Sequence, residues 1–468
     1  MSQFKFTKRH RRNRTTRARA TNKGGKPVFA GAQGCVFLPS LKCKHRARNM
    51  LDGNISKLGY KEGSDFEMRE YEKITPFIKK IKNYEKYFNV QATSCEPDVL
   101  STSDLIGFND VCQNFKRDSI TASNVNENLD KLRAINMPDL GMDLKGWMDK
   151  MPLDAQRVRQ LNDHISELLL HAVVPMNQQG VMHNDLKSEN LMMDRADDNL
   201  RIIDWGLAGI TTQHQVIPGR YFMNNPVTFN RPFSTMIISS EIDDQYHSFI
   251  SHLPANFSAE DLKPFVSGLY AEYRKLAPTG HEYLTYIFET MFNVNTDAAG
   301  ILLNTVVEKY NAEILHHYAR RRQFMLHEYF DKVYRHNTDV WGTVSVYYSI
   351  FMLPRDHFIM PDSVYHDMLQ RYRSIFRTMV FVNGHKRMNV QRIAQQLRQI
   401  SDAVTGRFNK VNPFNKVNPF NKFNKVNKVN KSVKKMVRFN IDTDAADNVH
   451  KKTHNYRVPT PYPFKTKT

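Results

Sequence analysis

The chain has 468 residues, 41% of them hydrophobic, and a formal net charge of +20. This length allows two or three domains, or one large domain with insertions, and no apolar run reaches the roughly 18–20 residues that span a bilayer. The basic, polar N-terminus does not predict a secretory signal, so we expect an intracellular protein that is not secreted.

The four cysteines are Cys35, Cys43, Cys95 and Cys112, and none forms a CxxC pair. This spacing predicts neither a disulfide framework nor a zinc knuckle. We therefore expect free thiols and a reducing compartment.

Positive charge is concentrated at the two ends of the chain. Residues 1–26 carry ten Lys or Arg and no acid, and residues 406–468 carry fifteen Lys or Arg against three Asp, which leaves residues 27–405 with a net charge of −2. The second arm contains the array FNKVNPFNKVNPFNKFNKVNKVNK, whose unit of about six residues is too short for a solenoid. We expect both arms to be disordered and able to meet nucleic acid or an acidic partner.

The first half of the central region predicts strands followed by a helix. Residues 28–60 read as strands around the glycine turn FAGAQGCVF. Residues 65–82 read as a helix with one face formed by Phe66, Glu70, Ile74, Phe77 and Ile81. The stretch LDKLRAINM predicts a strand that leads into the connector at residues 138–141.

The second half is mostly helical by pattern. A long helix ends at Gly180, and two short apolar runs then frame a polar loop. Helices are predicted over residues 240–337, again for the apolar stretch TDVWGTVSVYYSIFM, and onward to residue 405. Strands first and helices later predict an α+β protein with two lobes of different class.

The polar loop has the composition of a phosphotransfer site. It reads HNDLKSEN, with Asp185, Lys187 and Asn190, and Asp204-Trp205-Gly206 follows it. A carboxylate such as Asp185 can accept a proton from a hydroxyl, and Lys187 can neutralise a phosphoryl group. Asn190 and Asp204 supply the oxygens that Mg²⁺ prefers.

These residues resemble the protein kinase family over roughly residues 28–395. HNDLKSEN resembles the catalytic loop and Asp204-Trp205-Gly206 the metal-binding DFG element. The resemblance implies a bilobal fold, with a small β-rich N-lobe at 27–137 and a larger helical C-lobe at 138–405. It also implies ATP and Mg²⁺ as cofactors, Asp185 and Lys187 as catalytic residues, and Asn190 and Asp204 as metal ligands.

Further landmarks of the family follow in the expected order. Gly31, Gly34 and Val36 resemble the glycine-rich loop over the phosphates, and Asp139 and Leu140 the hinge that holds adenine. Lys57 in SKLG resembles the lysine that contacts the α- and β-phosphates, with Lys42 as a rival. Glu70 is the predicted partner of that lysine, and Glu72 is predicted to be exposed.

The sequence also departs from the family pattern. Asn184 replaces an arginine that pairs with a phosphorylated activation loop, Phe29 replaces the first loop glycine, and Trp205 replaces phenylalanine. Arg231-Pro232-Phe233-Ser234 loosely resembles the APE element. About a hundred residues separate it from Asp339, which resembles the start of the buried helix below the catalytic loop, so the predicted helices at 240–337 form an insert.

The sequence favours a serine/threonine protein kinase, because DLKxxN is typical of that class. In style it resembles the divergent kinases encoded by large DNA viruses, which would place it in host cytoplasm, nucleus or virion. The alternative is a pseudokinase scaffold that binds nucleic acid or acidic partners through its arms. KKMVRF, with Lys435–Phe439, resembles a phosphatase-docking peptide, and Thr15, Thr16 and Ser432 are candidate autophosphorylation sites.

Overall fold

The computed structural model describes residues 25–31, 34–44, 54–211, 217, 228–239 and 241–406. Several predictions lie outside these residues. They are the two arms except for their residues next to the core, the tip of the glycine turn at residues 32 and 33, the motif at 435–439, and Thr15, Thr16 and Ser432.

A five-stranded antiparallel sheet forms the N-terminal part, in the order β1-β2-β3-β5-β4. Burial of the side chains alternates along the strands of this sheet. In β2, Cys35 and Phe37 are fully buried, while Val36 between them is partly exposed. The strands are β1 (Lys26–Gly31), β2 (Gly34–Leu38), β3 (Asn54–Tyr60), β4 (Thr93–Cys95) and β5 (Leu132–Pro138).

Helix α1 (Lys61–Ile78) follows β3 directly. Its buried face is set by Glu67, Tyr71, Ile74 and Ile78, a spacing of four, three and four residues. The predicted face is therefore wrong in part, because Phe66 is 44% exposed and Ile81 lies beyond the end of the helix. The helix begins four residues before the predicted start, and its buried stripe differs from the one we predicted.

Two disulfides join the four cysteines, which contradicts the prediction of free thiols. Cys35 pairs with Cys112 and Cys43 with Cys95, with Cα–Cα distances of 5.2 and 5.7 Å. The partners are 77 and 52 residues apart, so no local spacing could reveal them. The inference to a reducing compartment rested on this spacing and loses its support.

The segment between β4 and β5 closes one side of the sheet. It contains the short helix α3 (Phe108–Val111), whereas another short helix, α2 (Tyr84–Tyr87), precedes β4. Phe108, Cys112 and Phe115 pack with Phe37 and Leu58 in a core of the N-terminal part that is separate from the larger core. Helix α1 instead contributes its apolar side chains to the larger core.

Short strands frame the predicted catalytic loop. Three of them form one sheet in the order β10-β9-β6, and β11 pairs with β8. Their bounds are β6 (Gly141–Asp143), β7 (Leu153–Asp154), β8 (Val181–Met182), β9 (Leu191–Asp194), β10 (Leu200–Ile202) and β11 (Gly209–Ile210).

Helices make up most of the remainder. The predicted long helix runs as α5, a π-helical turn at Leu169–Val173, and α6 before Gly180. Helix α15 packs against α5 through apolar residues spaced at three and four. The helices outside the insert are α4 (Leu144–Lys150), α5 (Ala155–Leu168), α6 (Val174–Gln178), α12 (Arg335–Ser345), α13 (Tyr348–Met352), α14 (Asp362–Ile375) and α15 (Val390–Val404).

The region predicted as a helical insert is helical apart from one hairpin. Its helices are α7 (Ile242–Ile250), α8 (Lys263–Leu276), α9 (Pro278–Phe292), α10 (Thr296–His317) and α11 (Leu326–Tyr329). Strands β12 (Ala319–Arg320) and β13 (Gln323–Phe324) form this hairpin within the predicted helices. Outside the insert, β14 (Phe358–Ile359) pairs with β7. Among the residues described, none of the helices has the length and apolar character needed to span a membrane.

Candidate active site

Asp185 lies at the centre of a hydrogen-bonded turn between β8 and β9. Its Oδ2 accepts from Lys187 Nζ and from Asn190 Nδ2, each at 3.0 Å, and its Oδ1 accepts from Asn230 Nδ2 at 2.8 Å. Burial opposes the charge of Lys187, yet the Asp185 carboxylate raises the pKa of Lys187. Three donors therefore hold one carboxylate in a fixed orientation.

A second carboxylate, Asp339 in α12, anchors the backbone of this turn from below. It accepts from Asn177 Nδ2 at 2.7 Å, from His183 N at 2.9 Å and from Asn184 N at 2.8 Å. Burial raises the pKa of Asp339, and the hydrogen bonds offset part of that effect. The predicted role of Asp339 below the loop agrees with these contacts.

Asn184 adopts the left-handed conformation, with φ of 64°, which asparagine tolerates better than most residues. Its Nδ2 donates to Leu207 O at 3.2 Å, and its own carbonyl accepts from Arg231 Nε at 2.7 Å. At this position the protein kinase family usually has an arginine that pairs with a phosphorylated loop. Here the neutral amide of Asn184 joins the turn that holds Asp185 to the segment after Asp204, and no phosphate is needed for this contact.

Lys57 pairs with Glu67, not with the predicted Glu70. The Lys57 Nζ lies 2.8 Å from Glu67 Oε2 and 3.9 Å from Asp204 Oδ2, whereas Glu70 pairs with Lys73 at 2.9 Å. Burial opposes the charge of Lys57, but Asp204 and Glu67 raise its pKa above the ordinary value, and burial raises the pKa of Glu67. The rival, Lys42, lies outside the strands and is exposed, as is Glu72.

Asp204 faces the same cleft as Lys57 and also has a left-handed backbone, with φ of 62°. Burial opposes the charge of its carboxylate, but Lys57, His183 and Lys187 lower its pKa, so Asp204 stays an anion at neutral pH. About 40% of its side chain is exposed. The site therefore keeps one accessible carboxylate opposite a lysine.

Trp205 turns away from the cleft and is fully buried. Its Nε1 donates to Asn89 O at 2.9 Å, and its ring lies 5.0 Å from that of His183. Tyr71 in α1 is buried close to Asp204 and Trp205, and burial together with the charges of Glu67 and Asp204 raises the pKa of its hydroxyl. Helix α1 is thus tied to this segment through Tyr71 as well as through the pair of Lys57 with Glu67.

The strand that follows the glycine turn, β2, pairs with the strand that carries Lys57. Val36 pairs with Lys57 across β2 and β3, and a Cβ added to Gly34 would lie 2.7 Å from Leu58 O, so only glycine fits there. Gly31 ends β1, where a Cβ would lie 3.9 Å from the Phe29 ring in an ordinary contact, and Phe29 is 60% exposed. Of the three predicted residues, Gly34 has a clear steric requirement.

The predicted hinge joins β5 to β6. Asp139 Oδ1 accepts from Gly141 N at 3.0 Å, and the carbonyl of the buried Leu140 accepts from Arg195 N at 3.1 Å. Gly141 has φ of 109°, a conformation that favours glycine. The connector is therefore a tight turn whose backbone is held by its own side chain and by the neighbouring strand.

A cavity of about 120 Å³ lies beside the catalytic turn. Ser188 and Glu189 of the turn line one side, and Tyr283 of α9 and Tyr348 of α13 line another. Burial raises the pKa of Tyr283, and the nearby Glu189 carboxylate adds to this shift. Helix α9 therefore brings the insert into contact with the region next to Asp185.

Two residues of the site, Glu67 and Asn230, were not predicted from the sequence. Glu67 shares the four-three-four spacing of the buried face of α1, and this signal was available. Asn230 directly precedes the Arg231-Pro232 stretch, but it is 45 residues from Asp185, and nothing local predicts their contact. Hydrogen bonds join Asp185, Lys187 and Asn190 in one group. Lys57 and Asp204 form a second group, and the charge of Lys187 acts on the Asp204 carboxylate.

Comparison with known families identifies one matching segment. Residues 137–230 match the family model described as Protein kinase domain. This segment, 94 of the 468 residues, contains Asp185, Lys187, Asn190, Asp204 and Asn230. The match supports a place in the protein kinase superfamily and phosphotransfer to proteins as the chemistry of this cleft.

Proposed function

We propose that the protein is a serine/threonine protein kinase that transfers the γ-phosphate of ATP to protein hydroxyls. The observation that carries the proposal is the arrangement across one cleft. Asp185 is held by three donors on one side, and the pair of Lys57 with Glu67 faces Asp204 on the other. This is a set of charges suited to positioning a hydroxyl against a phosphate.

In the proposed mechanism, the Asp185 carboxylate orients the acceptor hydroxyl and takes its proton as the bond to phosphorus forms. Lys187 lies 3.0 Å from that carboxylate and neutralises charge on the phosphoryl group in transfer. Lys57 would neutralise the α- and β-phosphates, and Gly31, Gly34 and Val36 would supply the loop that covers them. Adenine is held by the backbone of the hinge at Asp139 and Leu140.

The residues present fit Mg²⁺. Asn190 Nδ2 is used by Asp185, which leaves the amide oxygen to face a cation, and Asp204 is a partly exposed carboxylate with a lowered pKa. No group of three or more His, Cys, Asp or Glu gathers anywhere in the part of the chain that the structure describes. One or two protein ligands completed by substrate phosphates are usual for Mg²⁺, which here would neutralise phosphate charge.

The serine/threonine assignment rests on Lys187, which is typical of that class within DLKxxN. We also propose the division into an N-lobe at 27–137 and a C-lobe at 138–405 that includes the insert at 240–337. The resemblance to kinases of large DNA viruses belongs to the same proposal. The insert supplies Tyr283 to the cavity beside Asp185, which supports a role for it near the protein substrate.

The proposed enzyme needs no phosphorylation to assemble its site. Lys57 is already paired with Glu67, Trp205 is buried, and Asn184 holds the catalytic turn by a neutral amide. We infer that catalytic activity is present in the unmodified chain.

Transfer of labelled γ-phosphate from ATP with Mg²⁺ to a generic basic protein tests the proposal. Wild type is compared with Asp185→Asn and Asp204→Ala, and labelled residues are identified as Ser, Thr or Tyr. We expect labelled Ser or Thr with wild type and none with either variant, while Asp185→Asn still binds ATP. Equal labelling by all three proteins, or labelled Tyr alone, contradicts the assignment.

A second candidate, a scaffold that binds polyanions, is favoured by the charge of the arms. Their net charges of +10 and +12 surround a centre of −2. Such arms would bind nucleic acid or acidic proteins with steep salt dependence, and Lys435–Phe439 would recruit a phosphatase.

If the arms bind polyanions, deleting residues 1–26 and 406–468 removes polyanion binding and leaves ATP turnover intact. Wild type that binds ATP without transferring phosphate would make the scaffold the main function.

A further inference from the structure

The two disulfides differ in their access to solvent. Cys35 and Cys112 are 0% and 1% exposed and lie inside the smaller core. Cys43 is partly exposed, and its partner Cys95 is 9% exposed. Because thiol–disulfide exchange requires a thiolate to approach a sulfur atom, a reductant reaches the Cys43–Cys95 bond first.

A chain of hydrogen bonds runs from this partly exposed disulfide to strands β5 and β3. Asn136 Nδ2 donates to Cys43 Sγ at 3.2 Å and to Cys95 Sγ at 3.5 Å. The Asn136 Oδ1 accepts from the hydroxyl of Ser56, whose Oγ in turn accepts from Leu41 N at 2.7 Å. Ser56 is fully buried.

Ser56 and Asn136 lie in the two strands that lead to the proposed nucleotide contacts, Lys57 and the hinge. Ser56 precedes Lys57 in β3, and Asn136 precedes Met137 at the end of β5 that leads into the hinge. Ser56 and Asn136 also face each other across the β3–β5 register. A change at the two sulfur atoms therefore acts on the lysine strand and on the hinge strand through one side chain.

We propose that Cys43–Cys95 is a redox modification site whose state sets the affinity of the cleft for nucleotide. A dithiol reductant attacks one sulfur, forms a mixed disulfide and releases the other cysteine as a thiolate. The second thiol of the reductant then displaces the first cysteine. Two electrons and two protons pass to the protein, which ends with two thiols, and the reductant becomes a cyclic disulfide.

Opening the bond loosens the contact without unfolding the segment. The two sulfurs separate to non-bonded distance, so the Asn136 amide no longer donates to both in one position. The backbone hydrogen bonds Lys44 N to Glu96 O at 2.9 Å and Asp98 N to Lys42 O at 2.8 Å do not depend on the disulfide. The expected effect is a loss of nucleotide affinity of about three- to tenfold.

Selective opening is tested on the full-length oxidised protein with graded dithiothreitol and alkylation by iodoacetamide under native conditions. Peptide mass spectrometry then follows each cysteine. We expect Cys43 and Cys95 to be labelled at least ten times faster than Cys35 and Cys112. Equal rates, the reverse order, or labelling of all four cysteines without reductant would overturn the proposal.

The coupling to the cleft rests on the proposed function and is measured separately as the Kd for ATP. Oxidised and selectively reduced wild type should differ three- to tenfold, and Cys43→Ser/Cys95→Ser should match the reduced form at every reductant concentration. In Asn136→Ala the redox state should no longer change the Kd. An unchanged Kd after selective opening refutes the coupling. If ATP binds in neither state, the proposed function and the coupling both fail, while selective opening stands as a separate result.

Discussion

Replacing Glu67 by glutamine removes the closest charge partner of Lys57 and keeps the size of the side chain. Both groups are largely buried, with side chains 15% and 4% exposed, and breaking a buried pair from one side costs about 3–5 kcal/mol. Here Asp204 remains 3.9 Å from Lys57, and the glutamine oxygen can still accept a hydrogen bond. We therefore expect a loss of about 1.5–3 kcal/mol in kcat/KM, or roughly 10- to 150-fold.

Glu70→Gln is the matched control, three residues along the same helix. Glu70 is buried like Glu67, but Lys73, with which it forms an ion pair, is 59% exposed, and an ion pair screened in this way contributes at most about 0.5 kcal/mol. Its kcat/KM should fall less than about threefold by the same conversion. Steady-state phosphate transfer with varied ATP measures both variants, with thermal unfolding as a check on folding. An equal or larger loss for Glu70→Gln would refute the pairing of Lys57 with Glu67.

Two further predictions concern stability. A Cβ at Gly342 would lie 2.6 Å from the carbonyl oxygen of Leu186, so Gly342→Ala should lower the free energy of unfolding by about 1–3 kcal/mol. Gly268 lies in open space within α8, so Gly268→Ala should raise the free energy of unfolding by about 0.5–1 kcal/mol. A change of the same sign for both variants would contradict the steric argument. Burial and nearby arginines lower the pKa of His336 from 6.5 to about 4, so folding favours its neutral form, and stability present above pH 6.5 is lost as the pH falls towards 4. Denaturant unfolding should show that His336→Gln loses about 1–2 kcal/mol less unfolding free energy than wild type between pH 7.5 and 4.5, a figure discounted for partial exposure of the histidine. Equal losses in the two proteins would exclude His336 as a cause of the pH dependence.

Contacts within short segments were the ones that the sequence could predict. Asp185, Lys187 and Asn190 lie within six residues, and their spacing alone implies that they converge on one loop. The strands and the helices around them followed from apolar periodicity. The contact of Asn230 depends instead on how distant segments pack. Glu67 carried a local signal, its spacing from Tyr71, Ile74 and Ile78, but the neighbouring Glu70 is buried on the same helix and was chosen in its place.

The turn between β12 and β13 inside the insert could not be predicted from local residue preferences. Arg321 and Arg322 both have left-handed backbones, with φ of 49° and 62°, a conformation usually given to glycine or asparagine. The sequence RRRQ carries no such signal. Arg322 compensates by donating to the carbonyls of Ile250 and Leu253, so a tertiary contact stabilises a turn that local preference disfavours.

The anchoring of the catalytic turn by Asp339 has a consequence for synthesis of the chain. The backbone N–H groups of His183 and Asn184 donate to the Asp339 carboxylate, which follows them in the chain by 156 and 155 residues. At about 5–20 residues per second, a ribosome adds that residue roughly 8–30 s after the turn itself. The predicted insert is made in this interval, so a nascent chain that stops short of α12 holds every side chain that we propose for catalysis but lacks the carboxylate that anchors their turn.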